Sequence, residues 1–220
     1  MPLIILNFHG VGPVTREIDA GEHDCWLDQD HFETVLDLVR DRPNIRLTVD
    51  DGNASDFELI LPALLRRGLK AMFFVCAGLL DQPTFLSRRQ VKELQARGMT
   101  IGSHGARHRS WRRLTASQAS EEFENSRAEI EKVCEVPVDT AACPFGAYDR
   151  TVLVGLRRAG YRTVYTSDGG VARESDWLRA RTSVTRSTPL AETRHLIEQG
   201  PNAWQQLSID LRKFIKRMRS

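Results

Sequence analysis

RLTVDDGN, residues 46–53, ends an apolar, β-branched run on two adjacent carboxylates. Neighbouring residues on a strand point to opposite faces, so one of Asp50 and Asp51 should face whatever the strand helps to enclose. An unpaired buried carboxylate costs several kcal/mol, roughly a fifth to a half of a domain's net stability. The strand therefore calls for a compensating partner at its C-terminal end.

Outward from this stretch, short β-type runs recur at residues 3–8 (LIILNF), 45–49, 70–76, 99–103, 139–143, 162–167 and 179–184 (RARTSV). Segments with helical spacing lie between most of them, at 31–41, 55–68, 87–98, 115–135 and 149–160. Ser55, Ser87, Thr115 and Asp149 stand where N-caps belong, and Gly68, Gly98 and Gly160 where helices should stop. The chain is thus α/β, and its alternation predicts a parallel sheet, either open and doubly wound or closed into a barrel. In both cases functional groups gather where strands run out into the following loops.

The 220 residues suit one well-buried core and so a single domain over 1–220, with no linker or internal repeat dividing it. Thirty-one Lys and Arg balance 29 Asp and Glu at a formal charge of +2, which argues against a nucleic-acid partner. MPLIILNFHGVG has no cation ahead of its short apolar run, so the chain as given reads as neither signal-bearing nor membrane-spanning. A cytoplasmic location is the expectation. Cys25, Cys76, Cys134 and Cys143 lack any zinc-ligand spacing and read as packing thiols.

The strand ends carry His9, Asp50 with Asp51, His104 with His108, and Asp168. Asp51, His104 and His108 offer one oxygen and two nitrogens, a set suited to Zn2+ and accessible to Co2+, Ni2+ or Fe2+. Taken singly, a His pair four apart is usually a surface or packing pair, and Asp-Asp is commonly a turn or cap. At consecutive strand ends they point together to a cation that would relieve the buried carboxylate.

LTVDDGN, then FELILPALLRRGLKAMFFV, then GSHGARH, then PFGAYD, in order over about residues 45–165, resemble the polysaccharide deacetylase (NodB-homology) family of carbohydrate esterases. The resemblance implies a distorted (β/α) barrel of about seven parallel strands, with a divalent metal, generally zinc, at the strand ends. It makes Asp50 the general base and Asp51, His104 and His108 the metal ligands. The implied reaction is metal-dependent removal of N-acetyl groups from an amino sugar in a polysaccharide, oligosaccharide or glycolipid. The alternatives are a non-catalytic carbohydrate-binding relative and a hydrolase of another non-peptide C–N bond.

Two departures from the family pattern matter. Ala142 stands where an Arg often orients the base, and Arg181 in the last strand is the candidate substitute, against a plain surface-charge reading. No late Leu-x-x-His segment is evident, since RHLIEQG with His195 lies in a helical stretch. His9 in NFHGVG, which resembles the N-terminal Tyr-His segment of the poly-N-acetylglucosamine deacetylase branch, is therefore nominated as general acid. Pro144 and Gly146 are expected to set a turn beneath the site, with Phe145 and Tyr148 lining a sugar groove or packing.

Residues 202–219 form a basic amphipathic segment, with Leu207, Leu211, Phe214, Ile215 and Met218 at helical spacing. The expectation is a final helix that packs this stripe on the barrel. The alternative is peripheral association with an anionic membrane surface, at its inner face for a cytoplasmic enzyme.

Overall fold

The computed structural model describes residues 2–18 and 21–219. Six strands follow one another in the order expected: β1 (Leu3–Phe8), β2 (Ile45–Asp51), β3 (Ala71–Val75), β4 (Thr100–Ser103), β5 (Thr140–Ala142) and β6 (Thr163–Thr166). Each pairs in parallel with the next, with Asn7 opposite Thr48 and Asp50 opposite Phe74.

The run RARTSV is split in two. β8 (Leu178–Ala180) pairs with β6, and β9 (Thr182–Ser183) pairs with β1, both in parallel. Arg181 stands at the break, its N–H donating to Thr166 O at 2.9 Å and its carbonyl accepting from Gly169. One chain segment thus bridges the two edges of the sheet and closes a distorted barrel of seven parallel strands. A short β7 (Val171–Ala172) lies antiparallel on β1, a pairing that no periodicity announced.

Helices cover the outside: α1 (Gln29–Val39), α2 (Leu61–Arg66), α3 (Arg88–Ala96), α4 (Ala116–Ser120), α5 (Ser126–Cys134), α6 (Arg150–Arg158), α7 (Leu190–Gln199) and α8 (Ala203–Met218). Ser87 and Thr115 cap with reciprocal capping boxes, and Asp149 accepts from Val152 N–H. Ser55 does not cap: it is helical itself, and its hydroxyl accepts from Val11 N–H. Gly68, Gly98 and Gly160 all take the left-handed backbone of a helix stop. Wide, π-type turns interrupt two helices, at Asp56–Ile60 ahead of α2 and at Glu121–Asn125 between α4 and α5.

The alternation of β1 fixes the layers. Ile4, Leu6 and Phe8 join the large apolar layer under the helices, while Leu3 and Ile5 join Phe74, Ala142, Tyr165 and Ala172 in a smaller cluster. Asn7 continues that inward face toward the C-terminal ends of the strands, where the buried set becomes polar: Asn7, Thr48, Asp50 and Arg181. Among the described residues no helix is long and apolar enough to cross a membrane.

The expected packing of α8 is corrected by the structure. Leu207, Leu211, Phe214, Ile215 and Met218 are exposed. The helix rests instead on Ile209, on Gln206, which accepts from Val171 N–H, and on Lys216, which donates to Asp168 and to Gly146 O. Polar anchors chose which face turns inward, so the hydrophobic stripe looks out.

Candidate metal centre and catalytic site

Asp50 and Asp51 both lie inside, each 2% exposed, although a strand should send them to opposite faces. The exception is made by the backbone. Asp51 has φ of 80°, in the left-handed region, so the alternation of β2 fails at its last residue. Such a conformation costs about 1–3 kcal/mol outside glycine and persists only where the surroundings enforce it.

Asp50 stays in register on the barrel's inner face. Its two oxygens accept from Arg181 Nη1 at 2.7 Å and Nη2 at 2.8 Å, and Oδ2 also accepts from Asn7 Nδ2 at 3.0 Å. Asn7 Oδ1 accepts in turn from Arg181 Nη1 at 2.8 Å and Thr48 Oγ1 at 2.7 Å. The guanidinium lies over the rings of Phe74 and Tyr165, with its carbon 5.3 and 5.9 Å from their centroids. Burial alone would raise the Asp50 pKa, but the charge of Arg181, then that of His104, and the Arg181 hydrogen bonds outweigh it and hold the carboxyl well below the usual carboxylate range. The paired guanidinium thus favours the ionised form of Asp50.

Asp51 has no such support. Neither of its buried oxygens has a hydrogen-bond partner among the described residues, while Oδ1 lies 3.5 Å from His104 Nε2 and 3.2 Å from His108 Nε2. Ligands about 2.0–2.2 Å from one tetrahedral ion stand roughly 3.3–3.6 Å from each other, close to these separations, so a shared cation fits. Asp51, His104 and His108 form a cluster whose ligand atoms lie within 4.8 Å of one another. An orphaned carboxylate beside two imidazole nitrogens fits the divalent metal that the donor set implies.

The two imidazoles are held from behind. His104 Nδ1 is 2.9 Å from Ala142 O, which fixes Nδ1 as the protonated nitrogen and leaves Nε2 as a lone-pair donor aimed at the cluster. Burial pushes the His104 pKa down to about 4, against the opposing pull of Asp50 and Asp51, so the ring is neutral at pH 7. The loop Gly105–His108 is tied by Gly105 O and Ala106 O, which accept from Ala77 and Gly78 N–H at 2.9 Å each.

Glu122, which the sequence reading did not single out, anchors the same loop. Fully buried in the wide turn between α4 and α5, it accepts from Ala106 N–H at 2.8 Å and from Trp111 Nε1 at 3.3 Å, and its Oε1 lies 3.0 Å from Arg109 Nε. Gly105 has φ of 80°, and a Cβ there would stand 2.2 Å from Glu122 Oε2, so only glycine passes. Glu122 is one of six glutamates in the helical segment 115–135, and no period distinguishes it from a solvated face.

His9, at the end of β1, has Nε2 3.9 Å from Asp50 Oδ2, the same distance as His104 Nε2, on a side chain that is 15% exposed. Phe145 is 57% exposed, with its ring centroid 4.6 Å from that of His108. Pro144 and Gly146 are buried around it and form the turn.

Tyr148 takes the packing alternative, and Arg181 is no surface charge. Tyr148 is buried and donates to Asp168 Oδ2 at 2.8 Å, so it lines no groove. Arg181 is 0% exposed, with its guanidinium spent on Asp50 and Asn7, so it does not reach solvent. Asp168 accepts from Tyr148, Thr166 and Lys216, and pins α8 to the barrel. The four cysteines are free thiols outside the cluster, and three of them are buried.

The family model for polysaccharide deacetylases matches residues 38–164, which carry both carboxylates, both histidines and the Pro144–Gly146 turn. YxkH of Bacillus subtilis (strain 168) is 25% identical over 194 residues, 81% of this chain and 69% of that protein. The crystal structure of BA0330 from Bacillus anthracis superposes with a TM-score of 0.79 over 90% of this chain and 69% of that one, at 19% identity. IcaB from Ammonifex degensii gives 0.76 over 90% and 97%, at 22% identity. With its seven-stranded barrel and its strand-end motifs inside the matched region, the chain belongs to the polysaccharide deacetylase family.

Proposed function

We propose that this protein is a metal-dependent hydrolase that removes N-acetyl groups from amino sugars of a polysaccharide, with the metal, most simply Zn2+, held by Asp51, His104 and His108. The observation that carries the reading is the unequal treatment of two adjacent buried carboxylates. Asp50 is saturated by Arg181 and Asn7, and Asp51 is left with two imidazole nitrogens and no hydrogen-bond donor.

When bound, the metal supplies Lewis acidity, lowering the pKa of a water to about 7 and polarising the amide carbonyl. Asp50 takes the proton of the attacking water. A carboxylate held so far below its ordinary pKa is always available but weakly basic, so this role suits a water already made acidic. Arg181 holds Asp50 in one orientation by its two-pronged hydrogen bond and stays out of the substrate's reach. It takes the place of the Arg that Ala142 replaces. As the water oxygen bonds to the carbonyl carbon and the C–N bond breaks, His9 delivers a proton to the departing amine. Acetate and a free amino sugar leave. Phe145 offers an exposed ring beside His108, a face on which a sugar ring can stack.

The test is acetate release from acetylated chito-oligosaccharides, beside a panel of other amides, by the zinc-loaded protein and its Asp50→Asn variant. Release from the sugars alone, abolished in the variant, is the expected result. Release from other amides only would overturn the sugar reading, and none from any substrate with zinc bound would favour a carbohydrate-binding role.

A further inference from the structure

α8 is amphipathic in an unusual sense: its polar face supplies most of its anchors to the barrel and its apolar face looks out. Trp204, Leu207, Leu211, Phe214 and Met218 recur every three or four residues along one side, and all are at least 59% exposed. Isolated exposed apolar residues need no explanation, whereas a continuous stripe over a whole helix marks a surface that is covered in use.

Charge identifies the cover. Residues 203–219 hold five of the chain's cations (Arg212, Lys213, Lys216, Arg217 and Arg219) and one carboxylate, Asp210, so the rest of the chain is net negative. Lys213 and Lys216 are spent on Asp210 and Asp168. Arg212, Arg217 and Arg219 are exposed, and at 100° per residue they flank the stripe on both sides. A second copy of the helix laid against the stripe would bring these arginines toward one another. It would also offer five or six side chains where a stable dimer uses about 20–30 residues a side. An anionic lipid surface accepts both features: the apolar side chains enter the headgroup boundary, Trp204 sits at its level, and the flanking arginines reach the phosphates.

We infer that α8 is a docking element for an anionic membrane surface. Lys216 links it to the turn that carries Phe145, through Gly146 O at 3.2 Å, so docking would hold the rim of the catalytic site in a fixed relation to the lipid.

The full chain is sedimented with phosphatidylcholine vesicles and with vesicles containing about 30% phosphatidylglycerol or phosphatidylserine. Binding to the anionic vesicles at least tenfold tighter than to the neutral ones is expected, falling as salt is raised, since the Debye length shrinks from about 10 Å at 0.1 M to about 3 Å at 1 M. Arg212→Gln with Arg219→Gln should weaken it by roughly tenfold or more. Leu211→Glu with Phe214→Glu should abolish it while leaving the circular dichroism and melting of the protein unchanged, because both side chains are exposed. No binding to anionic vesicles would overturn the inference. So would binding that survives the Glu substitutions, or a concentration-dependent dimer that those substitutions dissociate.

Discussion

Replacing Arg181 by Gln tests the electrostatic core of the site without touching a residue proposed to meet substrate. Arg181 and Asp50 have side chains 0% and 3% exposed, so solvent screening does not weaken the pair. Removing one member of a buried ion pair costs about 3–5 kcal/mol, because the other charge is left uncompensated. Only the Asn7 amide would still donate to Asp50. At this chain length each kcal/mol lowers the melting temperature by about 2–4 °C, which gives a drop of roughly 6–20 °C. The pH dependence carries the sign. The folded pKa of Asp50 is depressed, so its contribution to stability is complete above the unfolded value of about 3.9 and is lost as pH falls through the folded one. Arg181→Gln raises the folded value. The stability gap between wild type and variant, read from urea unfolding, should therefore be widest near neutral pH and narrow below about pH 4. Adding Asp50→Asn should recover part of the loss by removing the stranded charge. A variant within about 1 kcal/mol of wild type at neutral pH, or a gap that does not change with pH, would show that Asp50 does not depend on Arg181.

Elemental analysis of zinc-loaded protein should find about one metal per chain. That metal should survive Asp50→Asn, which loses turnover, and disappear in His104→Ala or His108→Ala; normal metal in the His variants would remove the ligand assignment. His9→Ala should lower turnover by roughly two to four orders of magnitude with metal content unchanged, and full activity would end its nomination as acid. Glu122→Ala frees the Ala106 N–H that the carboxylate holds, and chelator competition should show metal affinity lower by about 10–100-fold. Unchanged affinity in the folded variant would mean that the loop is set by its other ties.

The barrel was legible because the first five strands are short and apolar and each is followed by a helix, several with their own caps and stops, so local signals agree with the topology they build. The carboxylate and imidazole motifs were legible for a related reason: they sit at strand ends, where a parallel sheet gathers chemistry. What escaped depends on long-range contact. RARTSV reads as one strand, yet its middle residue leaves both ladders so that a guanidinium can cross the barrel to a residue 131 positions away. Glu122 lies in a helix whose charges look alike until the fold turns one of them inward. The apolar stripe of α8 predicts an inward face, but the side that meets the barrel carries Ile209, Gln206 and Lys216, whose partners Val171 and Asp168 lie far away in sequence.

The pair of carboxylates that seemed one too many for a strand end divides into two environments through a single backbone torsion. Asp50 keeps the strand's direction and meets Arg181, the buried arginine among the described residues; Asp51 turns away at φ 80°. His108 is also left-handed, at φ 49°, so two of the three candidate ligands occupy backbone that their residue types rarely choose. Strain of about 1–3 kcal/mol at Asp51 is not offset by hydrogen bonds to its carboxylate, which has none among the described residues. A cation held by Asp51, His104 and His108 would compensate both the torsions and the desolvated carboxylate. The adjacent Asp50 is held in place by Arg181 and Asn7 rather than by the ion. On the proposed reading, the adjacency is the shortest covalent route from a metal ligand to a general base, made usable by the left-handed torsion that lets neighbours on a strand serve the same site.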